Sequence, residues 1–554
     1  MDYNTKKYWY LLIGLGLIFF LSSLFLHNHI DIFNSPDETA NVFFLRQYIQ
    51  TLSLSSFDPL NIFLGDVLYP RSIFSQGGYL LPVSFVGLPV IYGIITRVIN
   101  YNLTFFLTPF FAMFGVFAWY GIIRRLWNSH VAFWSACLLF FHPAWWYYTS
   151  RIFMHNVLFV SLLIIGCFFF VARPLVSLFK ERFKFIDIFL AGFFIALGLF
   201  VRTSEFVWVA LFIFLGFWWF RSKDLWKTIF IFLIGFCFGL IPFFSFNQIL
   251  YQNPLRFGYI QQSVDPISAN LSSVFIQESL PSVVKSSFDN IKSFLFPEGL
   301  HWRTLGKNMI WYGFMLFWWI SIFVVLGLII FWKFIKKEDL KKQSALWFYL
   351  VGFILTGIWL SLFYGNAFIY DNPDPTQITI ANSYIRYWLP IFVMTTPFAA
   401  LTITWVLSLI QHRLSKNIIS FLIFLLFFIS SFSLVFFHPQ DGIIPMHLKL
   451  SKYELIRAEI LSSTEPESVI ITDRSDKIFF PHRRIRYPLR DENTYAIMPK
   501  IIEYVPLYYF GITFPSTDFE YLNQVKLKSM DLQIEHLKTF GEESFYQIKK
   551  RSTD

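Results

Sequence analysis

Several stretches of this chain run for the length of a membrane without one charged side chain; residues 11–26 and 310–332 are two of them. An α-helix needs about 20 apolar residues to cross ~30 Å of hydrocarbon. Backbone groups buried there find no water, so a spanning segment must satisfy them internally as a helix or across a closed barrel. Only 14% of the 554 residues are charged and 56% are hydrophobic, against about 25% charged in an ordinary soluble domain. The expected class is a polytopic α-helical membrane protein. Disordered, collagen-like and disulfide-scaffold chains are excluded. Cys137, Cys167 and Cys237 all fall inside apolar runs, where a thiol behaves as a small hydrophobe.

Eleven runs have spanning character: 8–26, 103–123, 131–148, 157–171, 186–201, 206–220, 229–246, 309–332, 345–363, 385–409 and 418–437. A further segment, 79–99, contains Pro82, Gly87, Pro89 and Gly93. Charge decides its place. If it does not span, the connections 1–7, 124–129, 173–185, 221–227, 333–343 and 411–416 share one side and hold 18 Lys/Arg. The other 11 basic residues before 438 are then spread over more than 150 residues of the other side. That distribution obeys the positive-inside rule. Residues 79–99 are therefore expected as an outer, membrane-associated helical segment, with a cytoplasmic N-terminus and a retained first helix. The net charge of +10 is then a consequence of topology, and nucleic acid is not expected as a partner.

Residues 438–554 differ in kind. They hold 16 Lys/Arg against 17 Asp/Glu and no spanning run. Strands are expected at 468–472 and 505–510 and a helix at 517–529, which makes a small α/β domain on the outer face beside a membrane part, 1–437. Two outer loops, about 28–101 and 247–308, each contain an amphipathic stretch. Leu45, Tyr48, Ile49 and Leu52 share one helical face, as do Val284, Phe288, Ile291 and Leu295. Such helices lie in the interface plane.

Candidate chemistry begins at Ser35-Pro36-Asp37-Glu38. Ser-x-x-Glu with Pro at the first helical position is a capping box, and that alone accounts for the residue types. Its position just after the first span adds a second reading. An Asp-Glu pair there, followed by an interfacial helix, resembles the start of the GT-C glycosyltransferases. Further stretches are similar to that superfamily in order and sidedness. They are Tyr69-Pro70-Arg71-Ser72, Gly78 to Pro82, Gly87-Leu88-Pro89, Pro143 with Trp146, Tyr147 and Tyr148, Arg151 to Asn156, Arg202-Thr203-Ser204-Glu205, Asn247 to Tyr259, and Tyr384-x-Arg386-Tyr387-Trp388-Leu389-Pro390. Together they cover about 30–390. The set most resembles family 39, the dolichyl-phosphate-mannose-protein mannosyltransferase-like group, which is related to the aminoarabinose transferases.

The resemblance implies an integral-membrane glycosyltransferase that takes a sugar from a polyprenyl-phosphate donor at the outer face. Its acceptor would be a protein, lipid or glycan. Asp37 is the implied base toward the acceptor hydroxyl, and Glu38 would orient the acceptor or a nearby Arg. The lipid phosphate needs cations where its charge develops; Arg386 is the first candidate, followed by Arg151, Arg202 and Arg71. His155, Glu205 and Tyr387 are candidate substrate contacts. Against this, an Arg at a membrane edge often snorkels to headgroups, and Glu205 can simply pair with Arg202. Many relatives carry a carboxylate where this chain reads Arg151 to Asn156. No cofactor is predicted, and a divalent metal is left without support. Two other classes stay open: a transporter or lipid flippase, and a non-catalytic assembly or sensor protein. The absence of a repeat and of mid-span charge argues against the transporter.

Overall fold

The computed structural model describes residues 3–24, 31–179, 183–219, 224–258, 299–369, 371 and 377–551. Contacts divide the chain into two compact units. The first comprises Met1–Leu26, Asn102–Phe246 and Ile267–Pro445; the second His27–Tyr101, Asn247–Pro266 and Met446–Asp554.

The first unit is helical. Among the described residues of the chain, nine helices are long and apolar enough to cross a membrane, and Ser129–Phe140 and Thr203–Trp219 are shorter apolar helices. All eleven expected runs are therefore helical, but three are interrupted. Run 131–148 splits into Ser129–Phe140 and Pro143–Ser150. Pro143 has no N–H to donate and disfavours helical backbone at the residue before it. His142 is extended there, and its ring accepts from the Ala144 N–H at 3.3 Å as the new cap. Run 385–409 is a short helix, Ser383–Tyr387, followed by Leu389–Ser408 with a proline in its first turn. Run 309–332 opens on a π-helical turn, Met309–Phe314, and a 3-10 turn before Trp318–Ile335.

Buried polar groups fasten the helices. The Trp119 indole N–H points at Ser135 Oγ (3.0 Å) and Thr396 Oγ1 (3.1 Å), which also bond each other at 2.8 Å. Three helices are stitched together by hydroxyls that would otherwise be orphaned in hydrocarbon. Helix Trp318–Ile335 packs on Leu389–Ser408 so closely that a Cβ on Gly327 would collide with the Phe398 carbonyl.

The second unit joins part of the first large loop to the C-terminal segment. Strands β1 (Ser56–Phe57), β2 (Ile73–Gln76) and β3 (Tyr79–Pro82) form an antiparallel sheet in the order β1-β3-β2. Gly77 and Gly78 both have positive φ, 59° and 80°, as a two-residue hairpin turn between twisted strands requires. The expected helix over 79–99 is thus corrected. Its first part is a strand, and only Gly87–Val98 is helical. Twelve residues reach ~18 Å, too short to span.

In the C-terminal segment, β4 (Val469–Thr472), β5 (Arg484–Arg486), β6 (Leu507–Ile512), β7 (Leu532–Phe540) and β8 (Glu543–Lys550) form a sheet in the order β5-β4-β6-β8-β7. The first three are parallel; β8 and β7 add antiparallel. Both strands read from the sequence are present, each shifted toward its C-terminal end. The expected helix 517–529 is a short helix, Ser516–Tyr521, continued by a π-helical turn. Leu60, Leu64 and Leu68 of the first loop are buried in one core with Val469, Ile471, Met498 and Tyr509. On the first-loop helix Pro36–Thr51, Leu45 and Tyr48 are buried as expected, whereas Leu52 ends the helix exposed. The stretch around Val284, Phe288, Ile291 and Leu295, and Asp374, lie outside the described residues.

Gly327→Ala is expected to destabilise by about 1–3 kcal/mol through overpacking. Gly14→Ala, inside helix Tyr3–Leu24 with nothing within 4 Å, should instead stabilise by about 0.5–1 kcal/mol through helix propensity. Thermal unfolding of the detergent-solubilised protein, followed by tryptophan fluorescence, checks both.

Candidate functional site

In the helical unit, every phosphate candidate sits where a helix stops. Arg202 separates Lys184–Val201 from the turn Thr203–Glu205. Arg386 lies in the short helix Ser383–Tyr387, capped by Asn382, whose side chain accepts from the Tyr384 N–H at 3.1 Å. Arg151 ends Pro143–Ser150, and His155 opens the next helix, His155–Ala172.

These ends meet around Tyr387. Its ring stacks on Tyr364, with centroids 4.3 Å apart and planes 24° from parallel. The Arg202 guanidinium carbon lies 4.7 Å from the Tyr387 centroid and 5.5 Å from that of Tyr364. Arg386 lies 5.0 Å from the Tyr387 centroid. Both guanidiniums thus fall within cation–π range of one phenol. Arg386 also donates to the Tyr387 hydroxyl (3.2 Å) and to Met154 Sδ (3.3 Å), and its carbonyl accepts from Asn156 Nδ2 at 3.3 Å. Arg151 is buried, with its guanidinium over the Tyr147 ring at 6.0 Å. Tyr148, edge-on to Tyr147, donates to the carbonyls of Ala381 and Asn382 just before Arg386. Two segments 230 residues apart in sequence are so brought together. His155 is buried on the first turn of its helix.

Glu205 is the counter-charge. Its Oε1 accepts from Arg202 Nε at 2.7 Å and from the Tyr364 hydroxyl at 2.6 Å; its Oε2 accepts from the Trp208 indole at 2.6 Å. Tyr364 in turn accepts from Arg202 Nη2 at 2.8 Å. Arg202 and Glu205 are 4% and 2% exposed, so this is a buried ion pair in which each charge has hydrogen bonds beyond its partner. Burial works against the Arg202 charge, yet Tyr364 and Glu205 more than offset it, and its pKa is raised. Asp371 is used locally, accepting from the Ser383 N–H at 2.6 Å.

The second unit holds Asp37. The capping box is fully formed. Ser35 Oγ accepts from the Asp37 N–H at 3.2 Å, and buried Glu38 accepts from the Ser35 N–H at 3.1 Å. Glu38 thereby fixes the start of helix Pro36–Thr51. Asp37 is half-buried, and its Oδ1 accepts from the Ser72 hydroxyl at 2.7 Å. Ser72 has φ of 63°, a left-handed backbone that a serine adopts at a cost.

The neighbouring Arg71 is held tightly. It donates from Nε (3.0 Å), Nη2 (2.5 Å) and its own N–H (2.9 Å) to Asp476, and from Nη2 to the Arg474 carbonyl at 2.7 Å. The Asp476 side chain is 1% exposed. Lys477 beside it donates to the Asn34 carbonyl, next to the capping serine. Tyr487 lies in the same group, edge-on to Tyr69. Burial, with Tyr69 and Asp476 beside it, raises its pKa, so the phenol stays neutral. Arg71 is thus an anchor between the first loop and the C-terminal sheet.

Sequence reasoning missed Tyr364 and Trp208, and it gave no partners to Ser72 and Asp476, which bond Asp37 and Arg71. The first two look like belt aromatics at span ends, and the partners of the last two are distant in sequence. Among the described residues, no three His, Cys, Asp or Glu side chains cluster as a metal site.

No protein-family model and no curated protein matches the sequence. Solved structures do match its fold. ArnT from Cupriavidus metallidurans, bound to undecaprenyl phosphate, aligns with a TM-score of 0.51 at 10% identity, over 98% of each chain. The oligosaccharyltransferase AglB from Archaeoglobus fulgidus, in complex with an inhibitory peptide and a dolichol-phosphate, aligns with a TM-score of 0.52 at 13% identity, over 94% of this chain and 70% of its own. The apo form of the Archaeoglobus fulgidus oligosaccharyltransferase gives 0.51 at 12% identity, with the same coverage. The protein has the GT-C membrane fold, with many apolar spans and a small C-terminal sheet domain, and is a multi-pass membrane protein.

Arg71→Ala should act through stability. It leaves Asp476 buried without its cation, a loss of about 3–5 kcal/mol. The double variant Arg71→Ala/Asp476→Ala should recover part of it in the same thermal measurement.

Proposed function

We propose that the protein is an integral-membrane glycosyltransferase that moves a sugar from a polyprenyl-phosphate-linked donor to an acceptor on the extracytoplasmic face. The observation that carries this reading is the pair of guanidiniums on Tyr387, with Arg151 close by and Glu205 as their near counter-charge. Guanidinium matches the geometry of a phosphodiester, and three of them lie at these helix ends. The solved ArnT structure contains undecaprenyl phosphate and the AglB structure a dolichol-phosphate, which supports a lipid-phosphate carrier. The resemblance to family 39 supports a single hexose or pentose on that carrier. The charge distribution supports a cytoplasmic N-terminus and an outer C-terminal domain.

In the proposed reaction the acceptor oxygen attacks the anomeric carbon and passes its proton to Asp37. The bond from that carbon to the donor phosphate oxygen breaks, and polyprenyl phosphate departs with the electron pair. A single displacement of this kind inverts the anomeric configuration. Ser72 orients the Asp37 carboxylate, and Glu38 fixes the helix start on which Asp37 sits. Arg386, Arg151 and Arg202 stabilise the charge gathering on the departing phosphate. Tyr387, His155 and Glu205 shape that pocket and orient its arginines.

Two variants test the assignment in proteoliposomes supplied with a polyprenyl-phosphate sugar. Asp37→Asn should lower kcat by about 10²–10⁴-fold, the usual contribution of a general base. Arg386→Ala should cost about 10²–10³-fold, with the folded protein intact by size-exclusion chromatography. Unchanged transfer by Asp37→Asn would remove Asp37 from the mechanism. Substrate uptake without any glycosyl product, from the wild type, would replace the transferase with a transporter.

A further inference from the structure

A second polar site lies at the other end of the helical unit. A cavity of about 1020 Å³ is lined by five cations: Arg124, Arg125, Arg173, Lys341 and Lys342. They come from the ends of helices Thr104–Leu126 and His155–Ala172 and from the start of Leu340–Gly365. The last helix gives the depth. Lys342 and Tyr364 lie 22 residues apart on it, or ~33 Å at 1.5 Å per residue, about one hydrocarbon thickness. The cavity is therefore at the membrane face away from the Arg202–Tyr387 cluster.

Its charge is compensated only in part: Asp187, bonded to the N–H groups of Leu175 and Val176, lies near Arg173. The one carboxylate in the lining, Asp339, is engaged in capping its helix, where it accepts from the Lys342 N–H at 2.8 Å. Lys342 pairs with Glu338 at 2.8 Å. Among the described residues, neither the three arginines nor Lys341 has an ion-pair partner within 4 Å. Leu126, Phe170, Val171, Val176 and Ala345 supply apolar walls. Trp219 closes one wall, its indole donating to Ser344 Oγ at 2.7 Å.

We propose that this cavity binds the headgroup of an anionic phospholipid. The arginines take the phosphate, for which guanidinium is the better geometric match. The apolar walls take the first methylenes of the acyl chains. A soluble phosphate would use only the charged half of this lining. A lipid entering from the bilayer edge uses both halves. The site is remote from the proposed sugar transfer and does not depend on it.

The full chain, purified in a non-ionic detergent, tests this. Retained lipid is counted by native mass spectrometry, and thermal unfolding is followed as phosphatidylglycerol, phosphatidylcholine or inorganic phosphate is added. Phosphatidylglycerol alone should raise Tm and remain bound. Arg124→Gln/Arg173→Gln should weaken that binding on the order of thirtyfold, from the usual contribution of two basic residues at an anionic surface. Lys336→Gln/Lys337→Gln removes two exposed cations of the neighbouring connection that do not line the cavity, and should leave it unchanged. The single variant Arg173→Gln, expected about fivefold weaker, serves where the double variant unfolds. Equal losses in both lysine and arginine doubles would reduce the effect to general surface charge and overturn the proposal. So would unchanged binding by the arginine variants, or an equal stabilisation by inorganic phosphate, which would make the ligand a soluble anion.

Discussion

The structure depends on one constraint: a backbone N–H or carbonyl in hydrocarbon must find its partner within the protein. Continuous helices meet it, and so most of the chain is helix. Where a helix stops, the terminal groups need other partners, and the stops are where the polar residues gather. His142 caps the helix that Pro143 begins, and Asn382 caps the one that carries Arg386. Arg202 occupies the break between two spans. The candidate site is therefore built from the places where the membrane's demand on the backbone is hardest to satisfy. A turn with its own polar partners can also hold a guanidinium, which a mid-span helix cannot do cheaply.

The second unit meets a different demand. Its first-loop elements are short, and a two-stranded or three-stranded ribbon is marginal by itself. Leu60, Leu64 and Leu68 gain stability by entering the core of the five-stranded sheet. Arg71 with Asp476, and Arg484 with Asp58 at 3.0 Å, tie the same two segments together by charge. Asp37 inherits this rigidity. Its hydrogen-bond partner, Ser72, follows the anchored Arg71 directly, so the carboxylate is fixed by contacts more than 400 residues away in sequence.

This explains what the sequence could and could not reveal. The spans were legible because hydrocarbon imposes length and composition locally. The breaks at Pro143 and Pro390 were legible in kind, since proline acts on its own neighbours, but the chain had been read across them. The capping box at Ser35 and Glu38 was legible because four consecutive residues contain it entirely. The hairpin at Gly77–Gly78 was hidden by the apolar residues after it, which read equally well as a helix. The anchoring role of Arg71 was illegible, because Asp476 lies in another segment and no local pattern points to it. The same holds for Tyr364, whose place at a span end looks like an ordinary interfacial aromatic.

The Tyr387 cluster has an energetic asymmetry that bears on its purpose. Two guanidinium carbons at 4.7 and 5.0 Å from one ring centroid are at most about 10 Å apart. At an effective dielectric of about 20 their repulsion is on the order of 2 kcal/mol. Glu205 relieves it on the Arg202 side, and the quadrupole of Tyr387 relieves it partly for both. Arg386 bonds the Met154 sulfur and the Tyr387 hydroxyl. Under the proposed function, a donor phosphate held by the two guanidiniums offsets this repulsion, and does so most when it carries its largest charge.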